Sequence, residues 1–120
     1  MTLQECYAIF GGDYEGVTAR LRGERLVKKF VLKFLSDQSY QLFCDAMAQK
    51  NYEEAFRAAH TIKGVCQNLG FTALLESSSQ MSDALRSGWT PRADELVGQL
   101  GKDYTDTIAA IQAYQKECEG

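Results

Sequence analysis

In every long stretch free of glycine and proline, apolar residues recur at spacings of three and four, the period of an amphipathic helix. Leu3, Tyr7 and Phe10 share one side of a short segment, Thr2 to Phe10, which the Gly11-Gly12-Asp13 cluster ends. An irregular connector is expected from there to about Gly23. Glu24 to Lys50 holds neither breaker, and Leu26, Phe30, Phe34, Gln41, Cys44 and Ala48 keep one face nearly continuous, which predicts one long helix with room for a bend near Asp37. Asn51 is the N-cap of the next helix, with Glu54 as capping-box partner. Ala55, Ala59, Ile62, Cys66 and Leu69 form its buried stripe, and Gly70 closes it. Phe71, Leu74, Ser78, Met81 and Leu85 give another stripe, ended by Gly88. Thr90-Pro91 then starts a last helix, whose Ala93, Val97, Leu100, Tyr104, Thr107, Ile111, Tyr114 and Cys118 read as a bundle seam. The pattern predicts an all-α fold: an antiparallel four-helix bundle with a short additional N-terminal helix, one domain over residues 1–120.

Composition narrows the possible functions. No run approaches the roughly 20 apolar residues that span a bilayer, and Met1 to Phe10 lacks a basic start and a small-residue cleavage site, so a cytoplasmic chain without membrane contact is expected. A net charge of −3 argues against a nucleic-acid binder, which would show a basic face. Cys6, Cys44, Cys66 and Cys118 lie far apart with a single histidine to join them, so no metal site is expected and the thiols read as reduced, mostly buried hydrophobes.

That single histidine, His60, is the candidate for chemistry. At about 100° per residue it lies roughly 140° from the centre of its helix's buried stripe, so it points to solvent, beside Phe56, Arg57, Lys63, Gly64 and Gln67. Gly64, one turn on, costs about 1 kcal/mol relative to alanine in mid-helix and clears the space above the imidazole; close helix packing is the alternative, which its place on the outward face disfavours. Lys63 and Arg57 stand within a turn and suit the neutralisation of an attached phosphoryl group, although alone they would be an ordinary solvated face. Phe56, one turn earlier, offers an apolar patch for protein docking, unless it packs against the next helix.

The run His60-Thr61-x-Lys63-Gly64-x-x-x-Asn68-Leu69-Gly70 closely resembles the histidine phosphotransfer (HPt) family of two-component phosphorelays. Gly16 to Gly23 with Leu26, Phe30 and Phe34 looks like that family's approach to its long helix, and Phe71 onwards like its descending arm, so the resemblance covers roughly residues 16 to 90. The final helix matches only in kind. Where the family often places a glutamine that hydrogen-bonds the histidine, this chain has Ser82, with Gln80 nearby. Gln67 is the candidate substitute, and Arg86 matches a position where relatives place a basic residue near the phosphate. Val65 and Cys66 replace the alanine or glycine common in relatives.

The resemblance implies a phosphocarrier rather than an enzyme. His60 would accept a phosphoryl group through Nε2 from the aspartate of a response-regulator receiver domain, or of a hybrid sensor histidine kinase, and pass it to another receiver. The family's Mg²⁺ belongs to the receiver, so this chain is expected to carry no cofactor of its own. The chain holds no nucleotide-binding or dimerisation segment. A monomer is expected, with no ATP-dependent kinase activity. The start at Met1 and the Lys116-to-Gly120 ending favour a free-standing shuttle over a domain of a larger kinase. The alternatives are a non-catalytic helical adaptor that docks receiver domains and, more remotely, a hydrolase or metalloenzyme, which would need a second catalytic residue or ligand set beside His60.

Overall fold

A computed structural model describes residues 1–119; Gly120, the last residue of the terminal run read above, lies outside it. The chain is all-α. The described residues form α1 (Leu3–Phe10), α2 (Tyr14–Arg20), α3 (Glu24–Phe34), α4 (Ser39–Ala48), α5 (Tyr52–Leu69), α6 (Thr72–Leu85) and α7 (Pro91–Glu119). Helix α5 lies between α4 and α6, α6 also packs on α7, and α1 lies against the other end of α7. At about 1.5 Å per residue the 29-residue α7 accounts for the molecule's 42 Å length.

Several boundaries follow the local signals. Thr2 and Glu5 close a full capping box on α1, and Leu3, Tyr7 and Phe10 are buried. Thr90 Oγ1 accepts from the Ala93 amide at 3.3 Å, with Pro91 at the first helical position. Asn51 caps α5 through the Glu54 amide at 3.2 Å, but the reciprocal half of the capping box is absent: the Asn51 amide goes to the Ala46 carbonyl, and the Glu54 carboxylate to Arg57.

Three expectations fail, each for a local reason. The connector before Gly23 contains a helix, because Asp13 caps it by accepting from the Gly16 amide at 3.0 Å and Val17 is driven into the core. The long Glu24–Lys50 helix is two. At its end α3 tightens into i→i−3 bonds, Ser36 to Lys33 and Asp37 to Phe34, and Asp37 Oδ1 then accepts from the Ser39 amide to begin α4. The buried residues are Val27, Val31 and Phe34, then Ser39, Phe43 and Ala46. The step of five from Phe34 to Ser39 is the phase break that a single stripe through Leu26, Gln41 and Ala48, all exposed, could not contain. In α7 the seam drifts. Leu96 is buried in place of Val97, Cys118 is exposed, and Tyr104 is half-buried, as expected when a 3.5-residue pattern is laid on a 3.6-residue helix.

The end of α5 is set by contact between two turns. Gly70 takes φ 70° and ψ 30° and ends the helix in the left-handed region. Its carbonyl accepts from the Asp13 amide at 2.7 Å, and the Ala73 amide donates to Gly11 at 3.2 Å. Beneath these bonds Tyr7, Phe10, Phe34 and Phe71 stack edge to face or tilted, with centroids 5.0 to 5.8 Å apart. Tyr7 donates its hydroxyl to the Leu69 carbonyl at 2.7 Å, and Arg20 reaches across to the carbonyls of Gln67 and Asn68. Three groups therefore hold the C-terminal carbonyls of the helix that carries His60.

A Cβ at position 70 would lie 2.9 Å from the Asp13 carbonyl oxygen, in a backbone conformation that costs an L-residue about 1–2 kcal/mol. Gly70→Ala is therefore expected to lower unfolding stability by about 2 kcal/mol or more. A denaturant titration followed by circular dichroism measures this, and a midpoint equal to the parent's would show that the turns do not need this approach.

Candidate functional site

Helix α5 buries Ala55, Ala58, Ala59, Ile62, Cys66 and Leu69 and turns His60 to solvent on the opposite side. The imidazole lies over Phe56, with ring centroids 6.0 Å apart and planes 23° from parallel. Phe56 is half-buried and also packs against the core. Among the described residues no hydrogen bond reaches either ring nitrogen, so stacking is the ring's one resolved side-chain contact.

Gly64 lies one turn towards the C-terminus. A methyl group added there would meet no side chain, and no backbone of another element, within 4 Å. Close helix packing therefore does not account for this glycine. Lys63 is half-buried and has no carboxylate within ion-pair distance among the described residues. Gln67 is exposed, and its carbonyl belongs to the Arg20 clasp. Arg57 is turned away from the ring, towards the start of α5, where its guanidinium pairs with Glu53 at 2.8 Å and Glu54 at 2.5 Å. All three side chains are largely exposed. Such pairs contribute at most about 1 kcal/mol, so an incoming anion can draw Arg57 out of them.

On α6, Ser82 lies about as far after the Gly70-Phe71 turn as His60 lies before it, but it is fully buried and its Oγ has no hydrogen-bond partner. A phosphoryl group on the surface cannot touch it. Ser77 and Ser78, by contrast, bond back to the carbonyls of Ala73 and Leu74. Gln80 faces α7, in a cleft with Gln99 and Asp103. Arg86 follows α6, exposed and paired with Asp83 at 2.8 Å. The structure thus gathers Phe56, His60, Lys63, Gly64 and Gln67 on one face, and leaves Ser82 beneath it and Arg86 in an ion pair of its own.

Sequence reading passed over Arg20 and Tyr7, which fix the C-terminal end of α5. Their partners are main-chain carbonyls, which no side-chain pattern marks. Of the thiols, Cys6 and Cys66 are buried, Cys44 is half-buried and Cys118 exposed. Burial pushes the Cys6 thiol up to about 11 and the Cys66 thiol well up, which leaves both unreactive. Among the described residues, no three His, Cys, Asp or Glu side chains converge as metal ligands, and no helix is long and apolar enough to cross a membrane.

An unpartnered buried hydroxyl costs about 1–3 kcal/mol. Ser82→Ala is accordingly expected to hold or raise unfolding stability, by up to about 1 kcal/mol. A clear loss in a urea titration would reveal a bonded partner, such as a buried water, and give Ser82 a structural role.

Comparison with known proteins agrees with this geometry. The family model described as Hpt domain matches residues 33–114, from the end of α3 to well inside α7. The match begins later than the resemblance read from residue 16 and takes in most of the last helix, which by sequence resembled the family only in kind. No curated protein and no solved structure matches. With more than half of its length inside that match, and its one histidine exposed on the central helix, the chain belongs to the Hpt domain family, whose members are phosphocarriers of histidine phosphotransfer in phosphorelays.

Proposed function

We propose that His60 accepts a phosphoryl group from the aspartyl phosphate of a response-regulator receiver domain or hybrid sensor kinase and passes it to the aspartate of another receiver. The observation that carries this reading is the pairing of an exposed His60 with Gly64, a mid-helix glycine with open space where its side chain would be. The protein forgoes about 1 kcal/mol of helix stability at Gly64 without gaining an internal contact, so the open space serves something that approaches from outside.

In the forward step the Nε2 lone pair attacks phosphorus in line with the aspartyl oxygen. The N–P bond forms as the P–O bond breaks, and the carboxylate leaves with the bonding pair; the Nδ1 proton passes to water. Return to a second carboxylate reverses these events. The chain supplies position and charge rather than acid–base machinery. Phe56 holds the ring by stacking, Lys63 offers an ammonium to the phosphoryl oxygens, and Arg57 follows once released from Glu53 and Glu54. Gln67, two turns on along the same face, is the remaining polar candidate to meet the phosphoryl group. Mg²⁺ would come with the receiver. The carrier would act as a cytoplasmic monomer.

Substitutions at two positions test the reading. With a panel of phosphorylated receivers and Mg²⁺, acid-labile and base-stable phosphate should appear on the parent and be absent from His60→Gln. An adaptor would keep its docking without ever carrying label. At Gly64 stability and function should separate. Gly64→Ala is expected to gain about 1 kcal/mol, while Gly64→Gln folds but transfers at least about 100-fold more slowly, the scale of loss for a reacting group held off by an ångström. Normal transfer by folded Gly64→Gln would remove the steric role of this glycine.

A further inference from the structure

The acidic chain carries a concentrated basic segment. Residues 20–33 contain six of the 13 Lys and Arg and one of the 16 acids, in a chain of net charge −3. Arg25, Lys28, Lys29 and Lys33 all lie outside the buried Val27–Val31–Phe34 stripe of α3. They are exposed, and none pairs with a carboxylate among the described residues, whereas Arg57 on α5, Arg86 just after α6 and Arg92 in the first turn of α7 are held in ion pairs. Leu26 adds an apolar surface, 44% exposed, to the same helix.

Between α3 and α5 runs an open groove of about 410 Å³, walled by Phe30, Phe34, Val65 and Leu69 with Lys33 and Asn68 at its rim. Its nearest acid, Asp37, is turned to the Ser39 amide. Val65 follows Gly64 directly, about 7.5 Å along the axis from His60 and about 140° round it, so the groove opens on the flank of the face that carries His60. A standard protein interface covers about 800 Å² on each partner, a patch wide enough that a protein centred on His60 also covers the groove.

We infer that this groove and the basic face of α3 are the specificity-determining part of the docking surface, and that they fit a receiver presenting an apolar side chain flanked by carboxylates. The inference rests on the carrier reading of His60 and adds the chemistry of the partner. The apolar side chain fills the groove, and the carboxylates meet Lys33 at its rim and Lys29 one turn earlier on α3. Charges at an interface rim act chiefly on the rate of encounter and on its salt dependence. The occupant is a protein because the basic patch is bounded: an extended polyanion would run on to the acidic remainder of the chain.

The test is binding of a receiver panel to the full chain, to a Lys29→Glu/Lys33→Glu variant and to His60→Gln, in low and high salt of about 0.05 and 0.3 M. At least one acidic receiver should bind the parent and His60→Gln alike. Its affinity should fall about tenfold or more in high salt and again in the charge-reversed variant, while the variant's transfer rate at saturating receiver stays at the parent's. Equal binding by parent and charge-reversed variant at both salts overturns the inference, as does the absence of any receiver binding. Label on His60 in the same mixtures reports separately whether the carrier reading stands. Binding of duplex DNA or anionic vesicles in place of receivers would overturn the choice of occupant.

Discussion

Two turns pressed backbone to backbone, Gly11–Asp13 against Gly70, set the frame of this bundle. The close approach that allows the 2.7 Å bond from the Asp13 amide to the Gly70 carbonyl leaves no room for a Cβ at Gly70, which would lie 2.9 Å from the Asp13 carbonyl oxygen. It ends α5 where Tyr7 and Arg20 can reach its last carbonyls, and the adjoining Gly11–Ala73 bond ties the first turn of α6 to the end of α1. The aromatic cluster of Tyr7, Phe10, Phe34 and Phe71 then joins α1, α3 and the start of α6 under one roof. Few residues of α5 touch α1 or α2 through side chains, yet its C-terminal end is set by both.

Gly64 and Gly70, six residues apart on the same chain, show opposite uses of the same residue. At Gly70 the backbone needs a left-handed conformation and a close approach, and a side chain would collide inside the molecule. At Gly64 the backbone is ordinary helix and the surroundings are empty, so internal packing gives no reason for a missing side chain. The first glycine is explained by the fold, and the second finds no reason inside the molecule. Helical spacing already separates the two, one closing α5 and one on its outward face; what the structure adds is the empty space at Gly64 and the close approach at Gly70.

Much of the fold could be read from spacing. The stripes of α5 and α6 fall where the pattern puts them because each helix is long, regular and bounded by a cap. The errors lie where a stripe is interrupted rather than absent. Val27, Val31 and Phe34 continue as Ser39, Phe43 and Ala46 only across a step of five, and an unbroken helical period pulled the reading onto exposed Leu26 and Gln41 instead. Helix α2 is announced by Asp13 alone, with a glycine in its first turn. At the candidate site, the exposure of His60 and Gln67 follows from 3.6-residue geometry, and so do the pairings of Arg57 with Glu53 and Glu54, four and three residues before it. The full burial of Ser82 does not, because it depends on how α6 faces its neighbours.

A carrier of this design has little machinery with which to tell partners apart at the reacting atom. The imidazole is stacked on Phe56 and otherwise open, so the phosphoryl donor has to bring most of the electrostatic environment with it. What this chain controls is the rigidity of α5, capped by Asn51 at one end and clasped by Gly70, Tyr7 and Arg20 at the other, and the surface around it. Any discrimination between donors has to be made in docking, where a mismatch of charge or an unfilled groove alters encounter without altering the N–P bond that forms. On the proposed reading, the unpaired basic residues of α3 beside an apolar groove would bias which partner docks, while the chemistry at His60 would be common to every partner.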